Sequence, residues 1–289
     1  MINKDDIHKK LRKGITWYRG WTEEEFLTTD PHYASVHDID WDVSDVGPIR
    51  PNVLNTYISH IPDFDFQQFP IFTSNTYLPW WALAATFEVT SLQISWIQTR
   101  KQSTWIHRLL RYELEEVLSH EIVHLLRVPL SSTRYEEVIA YMVHGQRYRR
   151  YLGPICSQPW FVALLTVVSI MPVCLIFISG GYLLEWLIFI FLSMLISMFV
   201  GVGLSMLKIR RVYLLIGQFV RHGYSSNEAR YIIHHLDDHD IDMFSDHIDT
   251  YFQYRNNVDK RQKYLNIEHT DYIRMNYILD SAQKNADDE

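Results

Sequence analysis

Two apolar runs near the middle of the chain limit its architecture more than any other feature. Trp160 to Ser179, WFVALLTVVSIMPVCLIFIS, carries no formal charge, and Tyr182 to Leu207 carries Glu185 alone. Each holds about 20 residues or more, enough at a rise of about 1.5 Å per residue to cover the roughly 30 Å of bilayer hydrocarbon. Gly180-Gly181 predicts a turn between them, and Glu185 lies close enough to it to reach an interface. Pro172 is tolerable in a membrane helix because neighbouring groups can satisfy the freed carbonyl. The expectation is a two-helix transmembrane hairpin over 160–207, embedded in a lipid bilayer. Arg147, Arg149 and Arg150 precede it, Lys208, Arg210 and Arg211 follow it, and the connecting turn has no basic residue. By the positive-inside rule, both flanking parts face the cytoplasm. The opening MINKDDIHKKLRKG has no apolar stretch, so a cleavable secretory signal is not expected.

The flanks are polar, and their composition excludes some functions. A formal net charge of -7 over 289 residues argues against nucleic acid as a partner, since such proteins present a basic face. Cys156 and Cys174 are the only cysteines, so no disulfide framework is implied. Lys9, Lys10, Arg12 and Lys13 cluster in a predicted short helix over Asp5–Lys13 whose basic side reads as a solvated face. Thr22 and Glu25 fit a capping box. Prolines 48, 51, 62, 70 and 79 preclude long helices through the aromatic-rich stretch to Trp80.

The chemistry is concentrated between residues 86 and 150. Thr86 to Arg100 alternates apolar and polar positions with β-branched and aromatic residues, which predicts one or two strands. Apolar residues at helical spacing then predict a helix from about Thr104 to Arg127, ended by Val128-Pro129. Within it lies His120-Glu121-Ile122-Val123-His124, an H-E-x-x-H pattern. Residues four apart on a helix share a face, so both imidazoles can point at one metal ion and Glu121 can reach a water beside it. Hydrolysis assisted by Zn2+ needs those parts: nitrogen ligands, an open coordination position and a carboxylate base. Ser131 to Thr133 provide a cap for a further helix, from about Arg134 to Arg150. Tyr141 and His144 stand at i+4 and i+7 from Glu137, where they could orient a ligand, stabilise an oxyanion or form a plain polar seam. Glu113 and Glu116 share the face of His120 and read as solvated.

This strand–helix–turn–helix order resembles the gluzincin class of zinc metallopeptidases. In that class the glutamate of a second helix, often opening an E-x-x-A pattern, is the third ligand, and Glu137-Val138-Ile139-Ala140 matches it. The resemblance covers residues 85 to 150. It implies zinc held by His120, His124 and Glu137, with Glu121 as general base. Glu136 is the rival third ligand, about 100° away around the helix. Two features depart from the class pattern: only 12 residues separate His124 from Glu137, and Tyr141 stands where many members carry aspartate.

Beyond the hairpin the chain reads as polar and helical, with a capping box at Ser225–Glu228. Asp238, Asp240, Asp242, Asp246 and Asp249 have spacings reminiscent of a calcium loop, but Met243 replaces its glycine, and a helix–turn–helix connection is expected. The tail after Asp280 reads as disordered. The fold class expected is α+β. It comprises a zincin-like cytoplasmic domain over 1–150 (small sheet, H-E-x-x-H helix, second ligand helix), the 160–207 hairpin, and a small α-helical domain over 212–289. The function expected is peptide-bond hydrolysis on membrane or membrane-proximal proteins. A non-catalytic membrane scaffold with a structural or degenerate zinc site, and a metal-dependent hydrolase of a non-peptide substrate, are the alternatives.

Overall fold

The computed structural model describes residues 3–18, 21–28, 32–33, 44–45, 51–61, 63–64, 69, 71–74, 78, 84–89, 94–100, 113–130, 132–156, 159–176, 182–254 and 269–287. Most of these are helical. Three short helices, α1 (Lys4–Arg12), α2 (Glu23–Thr28) and α3 (Pro51–Tyr57), alternate with strands β1 (His32–Tyr33), β2 (Ser44–Asp45) and β3 (Ile71–Thr73). Strands β4 (Ala84–Val89) and β5 (Ile94–Thr99) follow. Then come α4 (Leu114–Arg127), α5 (Glu136–Tyr141), α6 (Arg147–Cys156), α7 (Pro159–Ile176), α8 (Tyr182–Arg221), α9 (Ser226–His234), α10 (Asp238–Tyr254) and α11 (His269–Asp287).

The sheet is small and mixed. β4 and β5 pair antiparallel in full register, Ala84 opposite Thr99 and Val89 opposite Ile94. The other side of β5 pairs in parallel with β1 at one end and β3 at the other, and β2 adds to β3. β5 is therefore central, with Ser95 to Thr99 all buried. The edge strand beside α4 is β4, which pairs only with β5 among the described residues.

Helix α4 lies between two cores. Leu118, Ile122, Leu125 and Leu126 pack with Ile71 and Ile97 of the sheet, with Leu54 of α3 and with Ile58 just after it. Val123 joins a larger core built from α1, α5, the second half of α8, and α9 to α11. Eleven of the fourteen residues of α4 are buried: Leu118, Ile122, Val123, Leu125 and Leu126 in the two cores, and the polar Glu115, Glu116, Ser119, His120, Glu121 and Arg127 elsewhere on its surface. Its first residue is Leu114, because Glu113 is extended (φ -85°, ψ 143°). The helix predicted from Thr104 thus starts later than expected, and residues 104–112 lie outside those described.

Three further expectations change. The helix predicted over Arg134–Arg150 is two helices, since Met142 and His144 close tight turns onto the carbonyls of Ile139 and Tyr141. Helix α6 then packs back against α5 so closely that a Cβ on Gly153 would fall inside the Tyr141 ring. The boundary between soluble parts 1–150 and 212–289 is also not a boundary between cores. Ile7, Trp17 and Phe26 share one core with Phe219, Ile232, Phe244 and Ile278. Short amphipathic helices from each end cover apolar faces that neither part buries alone.

The third change concerns the hairpin. Among the described residues one helix, Ile188–Arg221 within α8, is long and apolar enough to cross a membrane. Its best 18-residue window has mean hydropathy 2.3 and no buried residue. Helix α7 packs along α8 and has 18 residues. Helix α8 runs for 40 residues, about 60 Å, twice the hydrocarbon thickness. It continues without a break through Lys208–Arg211, where the sequence predicts a boundary. Beyond that point Ile209, Val212, Leu215, Ile216 and Phe219 recur at helical spacing and are buried in the large core. Leu204 and Leu207, just before, are 57% and 58% exposed.

Candidate metal centre

Helices α4 and α5 meet where their polar residues face each other. On α4, four-residue spacing places His120 Nε2 and His124 Nε2 3.1 Å apart. From the first turn of α5, Glu137 reaches both, with carboxylate oxygens 3.7 Å from each Nε2. One ligand atom from each residue lies within 4.8 Å of the others. Two nitrogens bound tetrahedrally at about 2.05 Å would lie roughly 3.3 Å apart, so the cluster has the size a zinc ion requires. Two imidazole nitrogens and one carboxylate, with further coordination positions open, are also the donor set of a catalytic zinc. The 12-residue spacing is sufficient because Val128–Leu130 form a single 3-10 turn that reverses the chain at once.

Glu136 lies on the other side of His124. Its Oε1 is 3.1 Å from Nδ1, the nitrogen pointing away from the cluster, and its Oε2 accepts a hydrogen bond from Arg127 Nε at 2.8 Å. The structure therefore groups Glu137, not Glu136, with the two Nε2 atoms. A carboxylate on Nδ1 fixes the histidine tautomer and ring orientation, leaving the Nε2 lone pair toward the cluster.

The two histidines sit in opposite fields. Burial alone would lower the His124 pKa. The Glu136 hydrogen bond and the charges of Glu137, Glu121 and Glu136 outweigh it and raise the value to about 9. His120 is held well below its ordinary value, first by burial and then by the neighbouring His124 and His144. Neutral imidazole is the ligating form. Glu136 stays below the usual carboxylate range despite burial, because Arg127 and His124 stabilise its charge.

Glu121 is buried beside the cluster, and Thr86 of β4 holds it. The Thr86 hydroxyl lies 2.9 Å from both the Glu121 carbonyl oxygen and its Oε2. Its single proton is shared between them and restrains the carboxylate against the edge strand. Tyr141 and His144 both pack on His120, with ring centroids 4.4 Å and 5.4 Å from its ring. His144 turns its Nδ1 to Glu116 Oε1 at 3.0 Å, and Glu116 also pairs with Arg149. Glu116, expected to be solvated, is thus buried and paired; Glu113 is exposed near Tyr57.

Sequence reasoning did not anticipate Arg127. Its guanidinium is fully buried and donates to Glu136, to the carbonyls of Ile233 and His234, and to Leu236 O at 3.1 Å. It joins the end of α9 to the carboxylate that orients His124. Nothing local in the sequence could show this, because the acceptors are backbone groups more than a hundred positions away. Asp238 ties the turn before α5 to the start of α10. Its carboxylate accepts from the Ser132 hydroxyl at 2.6 Å and from the amides of Thr133, Arg134 and Tyr135. Asp242 receives the Tyr135 hydroxyl at 2.6 Å and pairs with Arg134 and Arg211. The aspartates whose spacing suggested a calcium loop are therefore committed to protein partners on a helix, Asp240 to Arg274 and Asp249 to His222.

Comparison with family profiles, curated proteins and solved structures returns no match for this chain.

Proposed function

We propose that this chain is a membrane-anchored zinc metallopeptidase of gluzincin type, with a zincin-like arrangement of β4, β5, α4 and α5. The observation that carries the reading is the convergence of His120 Nε2, His124 Nε2 and the Glu137 carboxylate beside Glu121. His120, His124 and Glu137 would hold the zinc. When bound, the ion supplies a Lewis acid that polarises a scissile carbonyl and acidifies a water. Glu121 takes the water's proton on a carboxylate oxygen and returns it to the leaving amine. Thr86 keeps that carboxylate from rotating away, and Glu136 keeps His124 in the tautomer whose Nε2 faces inward. Tyr141 and His144 wall the His120 ring and hold its plane.

The substrate would bind as an extended strand. The sequence suggests that the strand near Leu92–Arg100 could align it, but β5 is flanked on both sides, so that assignment moves to β4. Its other edge, unpaired among the described residues, is available in this reading, and strand addition supplies main-chain hydrogen bonds without demanding a particular sequence. In this reading α8 crosses the bilayer and α7 crosses beside it, so both soluble parts face the cytoplasm. The substrates are membrane or membrane-proximal proteins.

Zinc quantification on the purified chain and on His120→Ala, His124→Ala, Glu136→Ala and Glu137→Ala tests the ligand set. Stoichiometric zinc in the parent and its loss in all but the Glu136 variant is expected. Retention in Glu137→Ala with loss in Glu136→Ala overturns the choice of third ligand. Glu121→Gln should keep zinc and lose roughly 10²–10⁴-fold in cleavage. New protein termini that depend on Glu121 separate a peptidase from a scaffold or a hydrolase of another bond.

A further inference from the structure

A cavity of about 700 Å³ lies between α8, the start of α5 and α10. Along its α8 wall Gly201, Leu204, Ser205, Lys208 and Arg211 fall at i, i+3, i+4, i+7 and i+10, which is one helix face. That face changes character along its length. Its first two turns are small or apolar, and its next two are cationic. The small side chains of Gly201 and Ser205 leave a slot between protruding leucines, and this end continues the exposed apolar surface of α8. At the other end Arg134, Lys208, Arg210 and Arg211 face two carboxylates of the lining, Glu137 and Asp246. Arg134 and Arg211 are held in place by Asp242. Lys208 and Arg210 have no carboxylate partner among the described residues.

A cavity that is apolar where the helix is apolar, and has surplus cations one turn further on, matches a ligand with the same two halves. We propose that it binds one anionic phospholipid. The phosphate sits among Lys208, Arg210 and Arg211, and an acyl chain lies along Gly201, Leu204 and Ser205. An acidic peptide would satisfy the cations but leave the slot without an apolar occupant. The proposal rests on the reading that α8 enters a bilayer; it does not require the peptidase activity. Since Glu137 also lines this cavity, the lipid would sit against the helix that supplies the third ligand.

The test uses the full chain in nanodiscs of phosphatidylcholine containing either no or one-fifth phosphatidylglycerol. Lipid retained after transfer to neutral detergent is counted by native mass spectrometry. One retained phosphatidylglycerol per chain is expected, with phosphatidylcholine not retained. Lys208→Gln/Arg210→Gln should weaken retention roughly thirtyfold, from the usual contribution of two cations near a membrane surface. Gly201→Leu should weaken it without removing charge. The charge-matched control Arg147→Gln/Arg221→Gln, away from the cavity, should leave it unchanged. Equal retention of both lipids, or equal loss in the control, overturns the site. Displacement by a glutamate-rich peptide or by inorganic phosphate, or indifference to Gly201→Leu, overturns the lipid as occupant. Zinc content measured on the same samples reports the metal centre separately, so failure of one reading is distinguishable from failure of the other.

Discussion

Acid should destabilise this fold through three histidines outside the proposed metal centre. His60, His234 and His235 are buried together, with ring centroids 5.9 Å apart for His60–His234 and 5.1 Å for His234–His235. Burial first, and the Arg230 charge second, lower His60 to about 3; burial and then Arg127 lower His235 to about 3. His234 is also pushed well below its ordinary value, by burial and then by the other two rings and Arg127. All three are neutral when folded, and the unfolded chain takes up their protons below about pH 6.5. Their contribution is therefore complete above that pH and is lost as pH falls toward 3. From pH 7.5 to 5.5 each neutral histidine costs about 1.4 kcal/mol of stability, so the three together cost about 4 kcal/mol. That is a large share of the roughly 5–15 kcal/mol holding a typical domain together. His60→Phe keeps a ring against His234 but cannot take up a proton. Denaturant unfolding in neutral detergent, with chelator present and tryptophan fluorescence as readout, should show the variant losing about 1.4 kcal/mol less than the parent over this interval. Subtracting one protein from the other cancels the titrations of His120 and His124. Identical losses in the two proteins, or a parent that gains stability at pH 5.5, would refute the reasoning.

Two other perturbations probe how the centre is held. Arg127→Met leaves Glu136 without its buried partner, so zinc affinity should fall about 10–100-fold in a competition assay with a chromophoric chelator. Breaking a buried pair in this way should also cost about 3–5 kcal/mol in unfolding experiments. Thr86→Val preserves shape but removes the hydroxyl from the Glu121 carboxylate; cleavage should fall roughly tenfold while zinc content stays constant. Equal losses of zinc and activity would show that Thr86 supports the helix rather than the base.

The parts of this molecule legible in its sequence are those set by local periodicity. His120 and His124 share a face by helical spacing alone, with Glu121 next to them, and the alternation over Thr86–Arg100 predicts one or two strands where β4 and β5 lie. The capping boxes at Thr22–Glu25 and Ser225–Glu228 are present as the sequence predicts. What could not be read depends on distant partners. The central position of β5 is set by β1 and β3, the burial of Glu116 by Arg149 and His144, and the choice between Glu136 and Glu137 by Arg127. The α8 boundary had a different cause. Lys208, Arg210 and Arg211 end an apolar run, but lysine and arginine are good helix formers and do not end a helix.

If α8 crosses a bilayer as proposed, that continuity gives bilayer thickness a mechanical role. With no proline, hinge or break between Tyr182 and Arg221, α8 acts as a stiff post whose upper half is cemented into the large core. A thicker or thinner hydrocarbon layer is accommodated by tilting such a helix rather than by bending it. Any tilt must carry α5, which packs on the post, and with it the Glu137 carboxylate. The lipid environment would then set both the height and the attitude at which the cleft meets its substrates.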